Sequence, residues 1–246
     1  MSTIDVVLFD LGNTLFYDNA ARWPAIYRRA EAALWRALNR SGVGGSGREL
    51  YPGSPTFLEH YYGVRGSGLD EPGAFRVLAN LLESKGLAVP DVIARNALGA
   101  MYAVTQANWR VERDAGSTLQ RLCRAGYRLG AVSNGSDHQN ALDLIDRARV
   151  QTHFDVVITS AAHGRRKPDP SIFNAALAAM SSSPAKAVMV GDNFEADIAG
   201  AHGIGMRAIW TTRRGSPTLP VPAIRPLAIV KRLSQIPDVL AQERWK

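Results

Sequence analysis

Five short apolar runs of strand length punctuate the chain, at Ile4 to Phe9, Arg128 to Val132, Asp155 to Thr159, Ala187 to Val190 and Arg207 to Trp210. They are bounded by polar or glycine-containing stretches, which suits buried strands better than helices. Between the later runs the apolar positions change to helical spacing. Leu119 and Leu122 lead to the second run, Ile172, Phe173, Ala176 and Leu177 form another stripe, and Asp197 to His202 reads as a third helix. Strands alternating with helices predict an α/β fold, a parallel sheet with helices on both faces and ligands bound at the C-terminal strand ends.

The segment from about Phe16 to Arg110 follows a different pattern. Trp23, Ile26/Tyr27, Ala30, Ala33/Leu34 and Ala37/Leu38 make a helical stripe, and further helices read at Phe75 to Ser84 and Asp91 to Trp109. Glycine-rich loops are expected around Gly42 to Gly47 and Gly63 to Gly68. Strand signals are few, so this is a helical domain inserted directly after the first strand, its aromatic stripe serving packing. Arg213 to Pro226 reads as a surface loop, Leu227 to Val230 as an edge strand and Leu233 to Leu240 as a closing helix.

A chain of 246 residues, 46% hydrophobic, can bury a full core and hold a smaller second domain. No apolar stretch approaches the roughly 20 residues of a membrane helix. The N-terminus has acids at positions 5 and 10 and no basic segment before its apolar run, unlike a signal peptide. A single cysteine, Cys123, cannot form an internal disulfide; it reads as a buried structural thiol in a cytoplasmic protein. The net charge of +7 comes mostly from arginine, 24 residues against 5 lysines, and favours anionic ligands. The basic residues are scattered and match no nucleic-acid module, so no nucleic-acid partner and no membrane partner is expected, and the oligomeric state is left open.

Four stretches carry candidate chemistry: "FDLGNTL" (9 to 15), "AVSNGSDH" (131 to 138), "GRRKPDPSIF" (164 to 173) and "VGDNFEADI" (190 to 198). Each lies at or beyond the end of an expected strand. Asp10, beside a turn, is exposed enough to act as a nucleophile, which would divide one hydrolysis into two displacements, or to touch a metal, or it is only a helix or turn cap. Ser133 and the Asn134 backbone can donate to phosphoryl oxygens, although Ser-Asn-Gly alone is also an ordinary turn. Lys167 precedes Pro168 and can bring a point charge to a transferring group, or it is a solvated lysine beside Arg165 and Arg166. Those two arginines read either as surface residues or as substrate-anion contacts. Asp192 and Asp197 offer hard oxygen ligands of the kind magnesium prefers.

These four stretches, in this order, resemble the haloacid dehalogenase superfamily, whose members are mostly phosphatases with a Rossmann-like core and often a helical cap after the first strand. The resemblance covers residues 1 to 15 and about 112 to 212. It implies a catalytic core of residues 1–15 and 112–246 and a helical cap of 16–111. It also implies a small phosphorylated substrate and an aspartyl-phosphate intermediate on Asp10, with Ser133 and Lys167 as catalytic partners. Thr14, Ser133, Asn134 and Lys167 would bind substrate, and Mg²⁺ would be held by Asp10, the Gly12 carbonyl, Asp192 and Asp197.

One position departs from the pattern. Phosphatases of this superfamily usually carry a second aspartate two residues beyond the nucleophile, as general acid and base, and here that residue is Gly12. Such catalysis is worth about 10² to 10⁴ in rate, or roughly 3 to 5 kcal/mol of barrier. A substrate with an acyl, aryl or anomeric leaving group, or an acid supplied by Asp18 or His138, would reduce the loss. The alternatives are a catalytically weak binding or regulatory protein, a dehalogenase, which would need no metal, and a phosphonate-cleaving enzyme, for which Lys85 is the one lysine in the cap.

Overall fold

The computed structural model describes residues 3–18, 22–43, 56–214 and 223–243. The chain divides into two compact units, one of Met1–Tyr17 and Arg110–Lys246, the other of Asp18–Trp109.

The first unit is built on a six-stranded, all-parallel sheet formed by β1 (Val6–Phe9), β4 (Arg128–Ser133), β5 (Val156–Thr159), β6 (Ala187–Gly191), β7 (Arg207–Thr211) and β8 (Ala228–Val230). Its order is β5-β4-β1-β6-β7-β8. All four residues of β1 are fully buried, as a central strand covered on both faces requires. Val6 and Leu8 pack with Ile172, Phe173, Ala176 and Leu177 of helix α8 (Pro170–Ala179), and the alternation of a strand sends Val7 and Phe9 to the opposite face. Successive strands run outward from β1 through β4 to β5, and the chain then returns to the other side of β1 with β6. Connections that leave β1 and β6 in opposite directions open a crevice between their C-terminal ends. Asp10 and Asp192 are the residues that follow those two ends.

The expected strands are all present, with ends shifted by one or two residues. The expected helix Asp197 to His202 begins earlier, as a π-helical turn, Phe194–Ala199, followed by α9 (Gly200–Gly203). A two-stranded antiparallel ribbon of β2 (Phe16–Tyr17) and β3 (Arg110–Val111) was not anticipated, because two-residue strands are too short to show a period. It is fastened within its unit by Arg214, which lies over the Tyr17 ring at 3.9 Å and bonds the buried Glu112 carboxylate at 2.5 Å. Cys123, on α5 (Ala115–Arg124), is exposed, which corrects its reading as a buried thiol. The stripe through Leu119 and Leu122 turns that helix's apolar face inward, and position 123 falls off the stripe.

The second unit packs α1 (Trp23–Arg40), α2 (Phe57–Arg65), α3 (Ala74–Ser84) and α4 (Asp91–Gln106) around Leu34, Trp35, Leu38, Leu78, Leu82, Leu98 and Met101. Helix α2 runs through Gly63, where a loop was expected. Thr56 and Glu59 form a capping box at its start. The buried Glu31 carboxylate accepts the Phe57 and Leu58 amides at 2.5 and 3.3 Å, and Phe57 and Tyr61 bury one face, so glycine's propensity deficit is overridden. Of the Gly42 to Gly47 loop, only Gly42 and Val43 fall within the described residues; most of the Arg213 to Pro226 loop also lies outside them. No helix among the described residues is long and apolar enough to cross a membrane.

Candidate active site

The end of β1 sets the first carboxylate. The Asp10 amide donates to the Val190 carbonyl at 2.9 Å, extending the β1–β6 ladder one residue past the strand. The chain then turns tightly, with the Leu15 and Phe16 amides returning to the Leu11 carbonyl. Asn13 carries the left-handed conformation of this turn, at φ 55°, while Gly12 is not among the glycines with positive φ. Gly12 bridges to Phe16, and Thr14, 2% exposed, donates its hydroxyl to Asp192 Oδ1 at 3.3 Å.

Lys167 enters from the segment before α8 and is 3% exposed. Its ammonium donates to Asp10 Oδ1 and to the Val132 carbonyl, each at 2.7 Å, and forms an ion pair with Asp197 Oδ1 at 2.6 Å. Burial opposes its charge, but Asp10 and Asp197 more than compensate and hold its pKa above the ordinary lysine value. The solvated-lysine alternative is therefore excluded. Asn134 anchors the Lys167 backbone: its Oδ1 accepts the Lys167 amide at 2.8 Å and its Nδ2 donates to the Lys167 carbonyl at 2.9 Å. Sequence reading gave Asn134 only its backbone. Ser133, 9% exposed, is the last residue of β4, next to the carbonyl that Lys167 holds.

Asp10, Asp192 and Asp197 bring one carboxylate oxygen each to within 4.8 Å of one another. Asp197 reaches this position from the π-helical turn, where its other oxygen accepts the Asn193 amide at 3.0 Å. Its approach depends on Gly191: a Cβ there would lie 2.1 Å from Asp197 Oδ2. Burial, then the charges of Asp10 and Asp197, push the Asp192 carboxyl up to about 7. Asp197 is pushed up to about 6, by burial first, against the opposing pull of Lys167. Three carboxylates facing one ammonium leave uncompensated negative charge in a buried place. A small dication with a preference for oxygen ligands fits that donor set.

His138, at the start of α6 (His138–Arg147), shares a hydrogen bond of 3.1 Å with the fully buried Thr159 hydroxyl. Asp18 belongs to the second unit, as does Lys85, exposed at the C-terminal end of α3. Arg165 pairs with Asp169 at 2.7 Å. Arg166 is 7% exposed, which removes its surface reading.

Comparison with known proteins gives a concordant result. A family model described as haloacid dehalogenase-like hydrolase matches residues 4–205. A glyceraldehyde 3-phosphate phosphatase of Methanothermobacter thermautotrophicus is 33% identical over 210 residues, covering 84% of each chain. A phosphoserine phosphatase of Thermus thermophilus is 34% identical over 127 residues, about half of each chain (49% and 51%). Among solved structures, a 2-haloacid dehalogenase from Pseudomonas syringae superposes with a TM-score of 0.69 at 30% identity, over 99% of this chain and 100% of that one.

Proposed function

This chain belongs to the haloacid dehalogenase-like hydrolase family, and we propose that it is a magnesium-dependent phosphatase for a small phosphorylated metabolite, working through an aspartyl phosphate on Asp10. The observation that carries the reading is the convergence of Asp10, Asp192 and Asp197 with the buried ammonium of Lys167 at the β1–β6 crevice. In this reading residues 1–15 and 112–246 form the catalytic core, and the helical insertion is a cap that selects the substrate. A reducing cytoplasm suits a chain whose single thiol is exposed.

Asp10 attacks the phosphorus with the oxygen that Lys167 does not hold. Lys167 fixes the rotamer of the nucleophile and offsets negative charge as it builds on the phosphoryl group. The Ser133 hydroxyl and the Asn134 amide donate to the phosphoryl oxygens, while the Asn134 side chain keeps the Lys167 backbone in place. Thr14 orients Asp192 and adds to the substrate side of the pocket. Asp10, Asp192 and the Gly12 carbonyl would hold Mg²⁺, supported by Asp197; the ion supplies Lewis-acid stabilisation of phosphoryl charge. The bond from phosphorus to the substrate oxygen breaks as the bond to Asp10 forms, and water then attacks the aspartyl phosphate, freeing phosphate and regenerating the Asp10 carboxylate. With glycine at position 12, no carboxylic acid from that turn protonates the leaving oxygen.

The test is release of inorganic phosphate from glyceraldehyde 3-phosphate and phosphoserine, the substrates named for two relatives, and from acyl and sugar-1-phosphates, with Mg²⁺ or with chelator. Metal-dependent release that Asp10→Asn abolishes is expected. Activity that survives excess chelator would overturn the metal reading. Absence of release from every ester would leave the binding or regulatory role. A second reading, displacement of halide by Asp10, is favoured by the similarity to a 2-haloacid dehalogenase; chloride release from 2-chloropropionate in chelator would select it.

A further inference from the structure

Strand β6 ends at Gly191 and the π-helical turn begins at Phe194, so the Asp192 carbonyl falls between two regular hydrogen-bonding patterns. A side chain takes it. The indole Nε1–H of Trp210 donates to the Asp192 carbonyl oxygen at 2.8 Å. Trp210 stands on β7 opposite Gly191 in the parallel register and is 4% exposed. It meets Phe194 edge-on, with ring centroids 5.2 Å apart and planes at 71°. Tryptophan has one polar atom, a donor. Here a rigid, buried bicycle uses that atom on the backbone of the residue whose side chain Thr14 holds from the β1 side.

Asp192 needs such a restraint for an electrostatic reason. Its carboxylate faces Asp10 and Asp197, and like charges in a buried place drive an unrestrained side chain away. Two contacts oppose that drift: Thr14 on the carboxylate and Trp210 on the peptide that carries it. We infer that Trp210 is a positioning residue for the metal site, acting through its hydrogen bond to the Asp192 peptide as well as through packing. The inference rests on the metal-dependent reading proposed above. It adds a residue from β7, outside the four stretches that hold the chemistry. Partners standing behind metal ligands are commonly worth about 10- to 100-fold in affinity.

Mn²⁺ binding, followed by the electron paramagnetic resonance of the free ion, separates the two parts of the argument. Three full-length proteins are compared: wild type, Trp210→Phe, and a protein with benzothienylalanine at position 210, which keeps the bicyclic shape and replaces the N–H by sulfur. Both altered proteins should bind Mn²⁺ about tenfold more weakly, the low end of that range. The Mg²⁺ concentration for half-maximal phosphate release should rise in step, with kcat at saturating Mg²⁺ within about twofold of wild type, as for loss of uniform binding. The metal-free benzothienylalanine protein should melt only a few degrees below wild type, because one carbonyl loses its donor while the packing is kept. Wild-type Mn²⁺ affinity in that protein would overturn the inference, including the case where Trp210→Phe alone is weakened, since packing would then be the whole effect. A wild-type protein that binds no Mn²⁺ would instead remove the metal reading beneath it.

Discussion

Replacing Lys167 by methionine removes one charge from the centre of the site while keeping the length of the side chain. The ammonium is in contact with Asp10 at 2.7 Å, Asp197 at 2.6 Å and the Val132 carbonyl at 2.7 Å, all with 3% of the lysine exposed. Methionine satisfies none of these acceptors. Removing one partner of a buried ion pair costs about 3–5 kcal/mol, because the other charge stays buried and alone. At roughly 2–4 °C per kcal/mol for a chain of this size, the metal-free melting temperature at neutral pH should fall by about 6–20 °C. Mg²⁺ should restore more of the loss in the variant than it adds to wild type, because the variant's three carboxylates face no cation.

Turnover should behave differently from stability. A dication can offset charge in the resting protein, but it does not replace a donor aimed at Asp10 and at the transferring group. Phosphate release by Lys167→Met at saturating Mg²⁺ should therefore stay about 10² or more below wild type, even where the protein is fully folded by circular dichroism. Arg165→Ala is the control. The Arg165 side chain is 42% exposed and pairs with Asp169, so its loss should cost about 0–1 kcal/mol and leave turnover nearly unchanged. A folded Lys167→Met protein with turnover within a few-fold of wild type would refute the reasoning and reduce Lys167 to a structural counter-ion.

Gly191→Ala should lower the melting temperature by an amount set by overpacking, about 1–3 kcal/mol, because the new Cβ would lie 2.1 Å from Asp197 Oδ2; an unchanged melting temperature and Mn²⁺ affinity would show that Asp197 can yield. The Asp192 carboxyl, raised to about 7, has a folded pKa above its unfolded value. It therefore favours the metal-free fold below about pH 4 and loses that contribution as the pH rises through 7. The rise in melting temperature on adding Mg²⁺ should be small at pH 5 and large at pH 8, and an equal rise at both would contradict the assignment. Gly12→Asp, at a position without positive φ, should raise turnover of alkyl phosphates by roughly one to two orders of magnitude and of aryl phosphates much less. Equal gains on both classes would assign position 12 to binding or to hydrolysis of the aspartyl ester.

What could be read from the sequence follows from the range of the interactions involved. Val6 to Phe9 form one buried run ending in an acid, and the β-strand and the carboxylate at its end are local consequences of that run, although Asp10 is itself buried where an exposed strand end was expected. The same holds for Ala187 to Gly191 before Asp192, so the α/β sheet and the carboxylates at its edge were visible as pattern. Helix α2 was not, since Gly63 argued against it; its Thr56–Glu59 capping box is a local signal that went unread, while the Glu31 carboxylate that takes the Phe57 amide lies 26 positions away. Asn134 and Trp210 show the same limit within the site. Their partners are the Lys167 peptide, 33 residues away, and the Asp192 carbonyl, 18 residues away. A motif reports which side chains can donate or accept, whereas a backbone carbonyl is the same at every position and leaves no mark on the sequence. The carboxylates of this site are thus specified by short stretches, and the aim of those carboxylates by bonds that only the completed sheet brings within reach. A substitution at Trp210 would leave all four stretches intact and still misdirect a group that one of them supplies.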